Sequence, residues 1–174
     1  NPEETDKISK ECVNAQISIE YQDGEQVVLL NGENVNGLIR TEEVSRMASL
    51  TSANPAVRAA MLDLQRNLAK TQDVVMDGRD IGTVILPQAD CKIYLTASSA
   101  TRAKRRYEEL IAKGEQCDLE TIEKDIIARD YQDMHREIAP LKQAEDAVLV
   151  DSSEMTIEEV VDRIIQICQE RKAH

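Results

Sequence analysis

The sequence contains no tryptophan and no phenylalanine, and its four tyrosines are scattered along the chain. It therefore has no aromatic platform on which successive bases of a single-stranded nucleic acid would stack. Apolar runs are short as well. None approaches the roughly 20 residues needed to span a bilayer, and the start, Asn1-Pro2-Glu3-Glu4, has neither the basic region nor the apolar core of a signal peptide. A soluble, cytoplasmic chain with no membrane partner is expected. Cysteine is limited to Cys12, Cys91, Cys117 and Cys168, with no C-x-x-C pair, and histidine to His135 and His174. That spacing offers no metal site and points to ordinary reduced thiols. Positive charge is the last shortage, with 21 Lys and Arg against 33 Asp and Glu and a formal net charge of -12. Such a field repels polyanions and argues against a nucleic-acid polymer or an anionic membrane surface as partner. A mononucleotide needs only a local group of cations.

Some motifs are missing too. No G-x-x-x-x-G-K-[ST] occurs, so the backbone cradle and lysine that hold the β- and γ-phosphates of a nucleotide are not encoded in these residues. There is also no nucleophile elbow and no H-E-x-x-H helix. Internal repeats, low-complexity tracts and flexible linkers are absent.

A chain of 174 residues, 41% apolar, fits one domain with a buried core. Residues 13–31 alternate in character around Ile17, Ile19 and Tyr21, turn at Asp23-Gly24 and resume at Val27 to Leu30 before Asn31-Gly32. This predicts antiparallel strands with tight turns. A helix is expected over Thr41 to Leu50, and a second opens at Asn54-Pro55 with Val57, Met61, Leu64 and Leu68 on one face. From residue 73 onward, short apolar strands at 74–76, 92–95 and 147–150 alternate with helical stretches, as in a parallel sheet. The last helix carries a capping box, Thr156 with Glu159, and a stripe of Ile157, Val160, Val161, Ile164, Ile165 and Cys168 that should cover a sheet face. The antiparallel segment reads as an insert within this α/β domain.

Three segments can carry chemistry. Asp77-Gly78-Arg79-Asp80-Ile81-Gly82-Thr83 follows the strand expected at 74–76, and ligands bind at strand carboxyl ends in open α/β sheets. Arg79 offers a planar fork for phosphate, and Asp80 can accept from an amino group. The alternative is a turn in which the two simply pair with each other. Arg102, Lys104, Arg105 and Arg106 lie near a helix start, where they oppose the macrodipole, so anion binding competes with a solvated face neutralised by Glu108 and Glu109. Arg129, Asp133 and Arg136 form a stripe beside the apolar face of the helix expected over 119–138. They either look into a cleft or form an intrahelical ion-pair ladder.

Asp77 to Val84 reads D-G-R-D-I-G-T-V, and in this the chain resembles the bacterial cytidylate kinases. The likeness extends through Pro87, the strand at 92–95, Arg102 to Arg106, Arg129-Asp130, Pro140-Leu141 and Asp146 to Asp151. Upstream, Asn31 to Val35, Ile39-Arg40-Thr41 and Glu43-Val44 resemble that family's insert and following helix. The resemblance implies a P-loop nucleoside monophosphate kinase fold: a three-layer α/β/α domain over residues 1–174, with an antiparallel insert at 13–52 and a lid region at 97–138. It implies transfer of the ATP γ-phosphoryl group to CMP or dCMP, with Mg²⁺; a monomer is expected. Ser49, Arg58 and Asp80 match its cytosine-recognising positions, Arg129 and Asp133 its ribose contacts, and Arg79 and Arg136 those near the acceptor phosphate. Arg102, Arg105 and Arg106 match the lid and the donor-phosphate side. It also implies about fifty residues before Asn1, carrying the first strand and the phosphate loop. Without those residues the chain by itself is expected to be inactive, and a noncatalytic CMP-binding module is the alternative if they are truly lacking.

Overall fold

The computed structural model describes residues 4–52 and 54–172, except for the side chains of residues 42 and 49. The chain divides into two compact units, Asn1–Val75 and Met76–His174.

The first unit runs α1 (Thr5–Asn14), β1 (Ile17–Gln22), β2 (Glu25–Leu30), β3 (Glu33–Asn34), α2 (Glu42–Thr51) and α3 (Pro55–Thr71). Its sheet has the order β1-β2-β3 and is antiparallel throughout. Both hairpin turns are chosen by sequence: Asp23-Gly24 and Asn31-Gly32 all take positive φ (53°, 84°, 52° and 85°), the conformation that matches strand twist in two-residue loops. The amide of Asn36 clamps the sheet, accepting from Val28 N at 2.9 Å and donating to the Gln26 carbonyl at 2.7 Å. Thr41 caps α2 through Val44 N, and Asn54 caps α3 through Ala56 N and Val57 N, ahead of Pro55 at the first helical position. The Asn54 amide also donates to Ser9 Oγ at 3.0 Å and so ties α1 to the start of α3. The first strand begins at Ile17 rather than at residue 13, because Val13 and Asn14 complete the last turn of α1.

The second unit contains β4 (Ile93–Thr96), α4 (Ser99–Ala112), α5 (Leu119–His135), β5 (Val148–Asp151) and α6 (Ile157–Lys172). β4 and β5 pair in parallel from Ile93 opposite Val148 to Thr96 opposite Asp151. A parallel pair needs a long crossover, which α4 and α5 supply. Ala97, Ala103, Leu110, Val150 and Ile167 form the buried core around this pair, with Ala103 wholly buried. Ser98 caps α4 through Thr101 N, and Asp118 caps α5 through Thr121 N. The capping box at α6 forms reciprocally: Thr156 N donates to the Glu159 carboxylate at 2.8 Å, and Glu159 N to Thr156 Oγ1 at 3.2 Å.

The α/β class, the parallel pair and the antiparallel sheet agree with the sequence reading. Three local expectations fail. Residues 74–76 have no ladder partner among the described residues, and Val75 is fully exposed, so apolar composition without a neighbouring strand leaves an irregular segment. The helix expected to reach 138 ends at His135, where Arg136 turns extended. On α6 the covered side is Val160, Ile164, Ile167 and Cys168, while Ile157, Val161 and Ile165 stay exposed, because a pair of strands is too narrow to cover the whole stripe.

Candidate active site

The Asp77–Val84 motif is a bend followed by a single π-type turn, Ile81–Ile85, in which the Asp80 carbonyl accepts from Val84 N at 2.9 Å and Ile85 N at 3.2 Å. One-turn π segments are uncommon and concentrate at functional sites. Of the two motif glycines, Gly78 sits where a side chain crowds the backbone, while Gly82 has the Lys92 stem at ordinary contact distance. A Cβ on Gly78 would come within 2.8 Å of Ile81 Cγ1, and one on Gly82 within 3.4 Å of Lys92 Cδ.

This turn presents Arg79 and Asp80 to the end of α5. Arg79 Nε donates to the Asp133 carboxylate at 3.0 Å. Arg136 Nη2 lies 3.7 Å from Asp80 Oδ1, and Arg136 Nη1 lies 4.0 Å from Asp133 Oδ1. Two guanidinium groups and two carboxylates thus alternate in one cluster. Asp80 is buried, the Asp133 side chain is 13% exposed, and the Arg79 side chain is 42% exposed, so the cluster opens to solvent on the Arg79 side. Arg79 pairs with Asp133, 54 residues away, and not with its neighbour Asp80. Asp133 pairs with Arg79 and not with Arg129, so of the expected ion-pair ladder only the Asp133–Arg136 rung forms, at 4.0 Å, and Asp133 adds a partner from outside α5.

Arg136 is aimed by the chain that follows α5. Its Nε donates to the Ala139 carbonyl at 2.6 Å, and Leu141 N donates back to the Asp133 carbonyl at 2.8 Å. Ala139 has φ of 50°, an uncommon conformation for a residue with a Cβ and notable immediately before Pro140. Arg136 Nη2 is buried and has no hydrogen-bond partner among the described residues. An unused donor beside a carboxylate is costly unless something completes it.

The remaining expected residues lie elsewhere. Arg129 is exposed and has no partner among the described residues. Arg102 makes a two-pronged contact with Asp130 of α5, Nη1 to Oδ1 at 3.0 Å and Nη2 to Oδ2, and donates through Nε to the Ala97 carbonyl at 3.1 Å. The Asp130 carboxylate pushes the Arg102 pKa further up, against a smaller opposing effect of burial. Arg105 donates to the carbonyls of Ser152 at 2.6 Å and Met155 at 3.2 Å and to Ser152 Oγ at 3.3 Å, tying α4 to the link between β5 and α6. Arg106 pairs with Glu109 of its own helix at 2.9 Å, so here the solvated-face reading describes the contact. Arg58 belongs to the first unit, in the opening turn of α3, where Nη1 donates to the Ser52 carbonyl at 3.4 Å. Ser49 falls in α2, and its side chain lies outside the described residues.

Two residues escaped the sequence reading. Asp130 was visible only as the neighbour of Arg129, and nothing local links it to Arg102, 28 residues earlier. Lys92 reads as a strand residue, yet its Nζ donates to Asp146 at 2.9 Å and to the Pro87 carbonyl, and its stem lies along Gly82. The Lys92 ammonium holds the Asp146 carboxyl below its usual range.

The family described as cytidylate kinase matches residues 1–170. A cytidylate kinase of Geobacillus sp. (strain WCH70) is 52% identical over 158 residues, covering 91% of this chain and 70% of that protein. A cytidylate kinase of Lactobacillus gasseri is 49% identical, covering 90% and 68%. One of Syntrophotalea carbinolica is 47% identical, covering 92% and 68%. With a match spanning nearly all of its residues and the D-G-R-D-I-G-T-V turn built as a cluster of paired arginines and aspartates, the chain belongs to the cytidylate kinase family.

Proposed function

We propose that the chain transfers the γ-phosphoryl group of ATP, presented with Mg²⁺, to CMP or dCMP, giving ADP and CDP or dCDP. The observation that carries this reading is the alternating cluster of Arg79, Asp80, Asp133 and Arg136. Its charges cancel within the protein, and CMP supplies a complementary set of partners. The cytosine amino group would take Asp80 as acceptor, the ribose hydroxyls Asp133, and the phosphate both guanidinium groups. Each pairing within the protein would then be exchanged for a charge-assisted one with the ligand.

Arg58 and Ser49 are the further candidates for the base, and Arg129 for the ribose. Uracil presents a carbonyl where cytosine presents its amino group, so UMP would leave the buried Asp80 facing another acceptor. Phosphoryl transfer needs positioning and charge neutralisation more than a strong base. Arg79 and Arg136 supply that on the acceptor side. On the donor side Arg102 and Arg106 are the arginines to be redirected when the region 97–138 closes as a lid, which would exclude water as a competing acceptor. Arg105 is the least available of the three, because its donors are already used inside the protein. A monomer working in the cytoplasm suits these small substrates.

The test is a direct product assay with ATP, Mg²⁺ and CMP on the protein carrying the phosphate-loop segment that the family resemblance places ahead of Asn1, because residues 1–174 alone do not encode that cradle. Equimolar CDP and ADP are expected, with UMP turned over far more slowly. ADP formed without CDP, or equal rates with CMP and UMP, would contradict the proposal.

A further inference from the structure

The four cysteines look unrelated along the sequence, but the fold brings two of them together. Cys91 lies just before β4 and Cys168 on the covered side of α6, 77 positions later, with their Sγ atoms 3.1 Å apart. Both are free thiols and both are partly accessible. Their sulfurs stand about 1 Å beyond the ~2.05 Å of a disulfide bond, so small side-chain movements close the gap. Cys12 and Cys117 have no such neighbour among the described residues.

The surroundings give the contact a purpose. Lys92, the next residue, binds Asp146 and runs its stem along Gly82 of the motif turn, and Arg171 of α6 donates to the Asp146 carbonyl at 2.7 Å. Non-covalent bonds therefore already join the entry of β4, the loop before β5 and the end of α6 at this place. A covalent bond between Cys91 and Cys168 would fasten the same junction.

We propose that Cys91 and Cys168 are a reversible dithiol–disulfide pair, oxidised by exchange with a low-molecular-weight disulfide of the glutathione class, which clamps α6 to the entry of β4. The first thiolate attacks one sulfur of the small disulfide, forming a mixed disulfide and releasing one small thiolate. The second cysteine then attacks the protein sulfur of that mixed disulfide, forming the Cys91–Cys168 bond and releasing the other small thiolate. Two protein thiols are oxidised, one disulfide is reduced to two small thiols, and the two protons end on those products. Burial first, and then the neighbouring Cys168 sulfur, push the Cys91 thiol up to about 11. Whichever thiol attacks first, the other stands at contact distance and resolves the mixed disulfide, so proximity drives the closing step.

The full chain, folded, is treated with oxidised glutathione and analysed by intact mass and non-reducing peptide mapping. The expected product has lost two hydrogen atoms, links the Cys91 and Cys168 peptides, returns to the starting mass with dithiothreitol, and melts about 5 °C or more above the reduced chain. In Cys168→Ser the cross-link disappears while Cys12 and Cys117 react as before. The proposal is overturned by lasting glutathione adducts on Cys91 or Cys168 without a link, by a link to Cys12 or Cys117, by no reaction at either residue, or by an unchanged melting temperature of the linked form.

Discussion

Asp80 shows how much one residue can decide. It sits in the motif turn with its carbonyl spent on Val84 and Ile85, its carboxylate buried and Arg136 within 3.7 Å. The backbone fixes the side chain, and the guanidinium keeps the buried charge tolerable. Asp80→Asn keeps the shape but replaces a pure acceptor with a group that also donates, so it can face a carbonyl as readily as an amino group. Steady-state kinetics should therefore show the preference for CMP over UMP falling by about 10-fold or more in this variant. An unchanged ratio would remove Asp80 from base recognition. The pairing of Arg79 with Asp133 was only half legible beforehand: both residues stood out by type and position, but their separation of 54 residues hid the partnership.

At the scale of elements, local grammar was readable and long-range partnership was not. Asp23-Gly24 and Asn31-Gly32 dictate their turns, Asn54-Pro55 its helix start, and Thr156 with Glu159 a reciprocal cap, because each rule acts within a few residues. The segment 74–76 was misread because a strand is completed by its neighbours, which composition cannot supply. The arginine cluster on α4 was misleading in another way. Only the fold reveals that Arg105 reaches the link between β5 and α6, bridging elements that lie 47 residues apart. Arg105→Ala should take a donor from the Met155 carbonyl and from the Ser152 carbonyl, which keeps only Met155 N at 3.2 Å, and destabilise the chain by about 1–3 kcal/mol, seen as a lower denaturant midpoint. A midpoint equal to wild type would show that these bonds carry no net stability. The cap of α5 adds a pH dependence. Thr121, through its hydroxyl and its N–H, holds the Asp118 carboxyl below its ordinary value of 3.8. The cap's charge therefore stabilises the fold above about pH 4 and loses that effect as pH falls through the lowered folded value. Asp118→Asn, which keeps a neutral acceptor, should be less stable than wild type at pH 7 and indistinguishable from it near pH 2; a gap that persists at pH 2 would exclude the ionised cap as its source.

Across the whole molecule, an acidic chain of net charge -12 pairs Arg79 and Arg136 with Asp80 and Asp133 in a small cluster, which is where the proposed function puts anion binding. That arrangement suits a mononucleotide, for which a few aimed donors suffice, and disfavours a polymer held by many phosphates. Among the described residues no helix is long and apolar enough to cross a membrane. The family was legible from the Asp77–Val84 motif and its collinear companions, and what each arginine touches was not. In the proposed function the Arg79–Asp80–Asp133–Arg136 cluster is the acceptor site for CMP. Titration calorimetry of the full chain with CMP and with UMP, in wild type and in an Arg136→Ala variant checked for folding by circular dichroism, tests it most directly. Saturable CMP binding is expected, with UMP at least about 10-fold weaker and CMP affinity about 10-fold or more lower once Arg136 is gone. Equal affinities for CMP and UMP, or CMP binding that Arg136→Ala leaves unchanged, would contradict it.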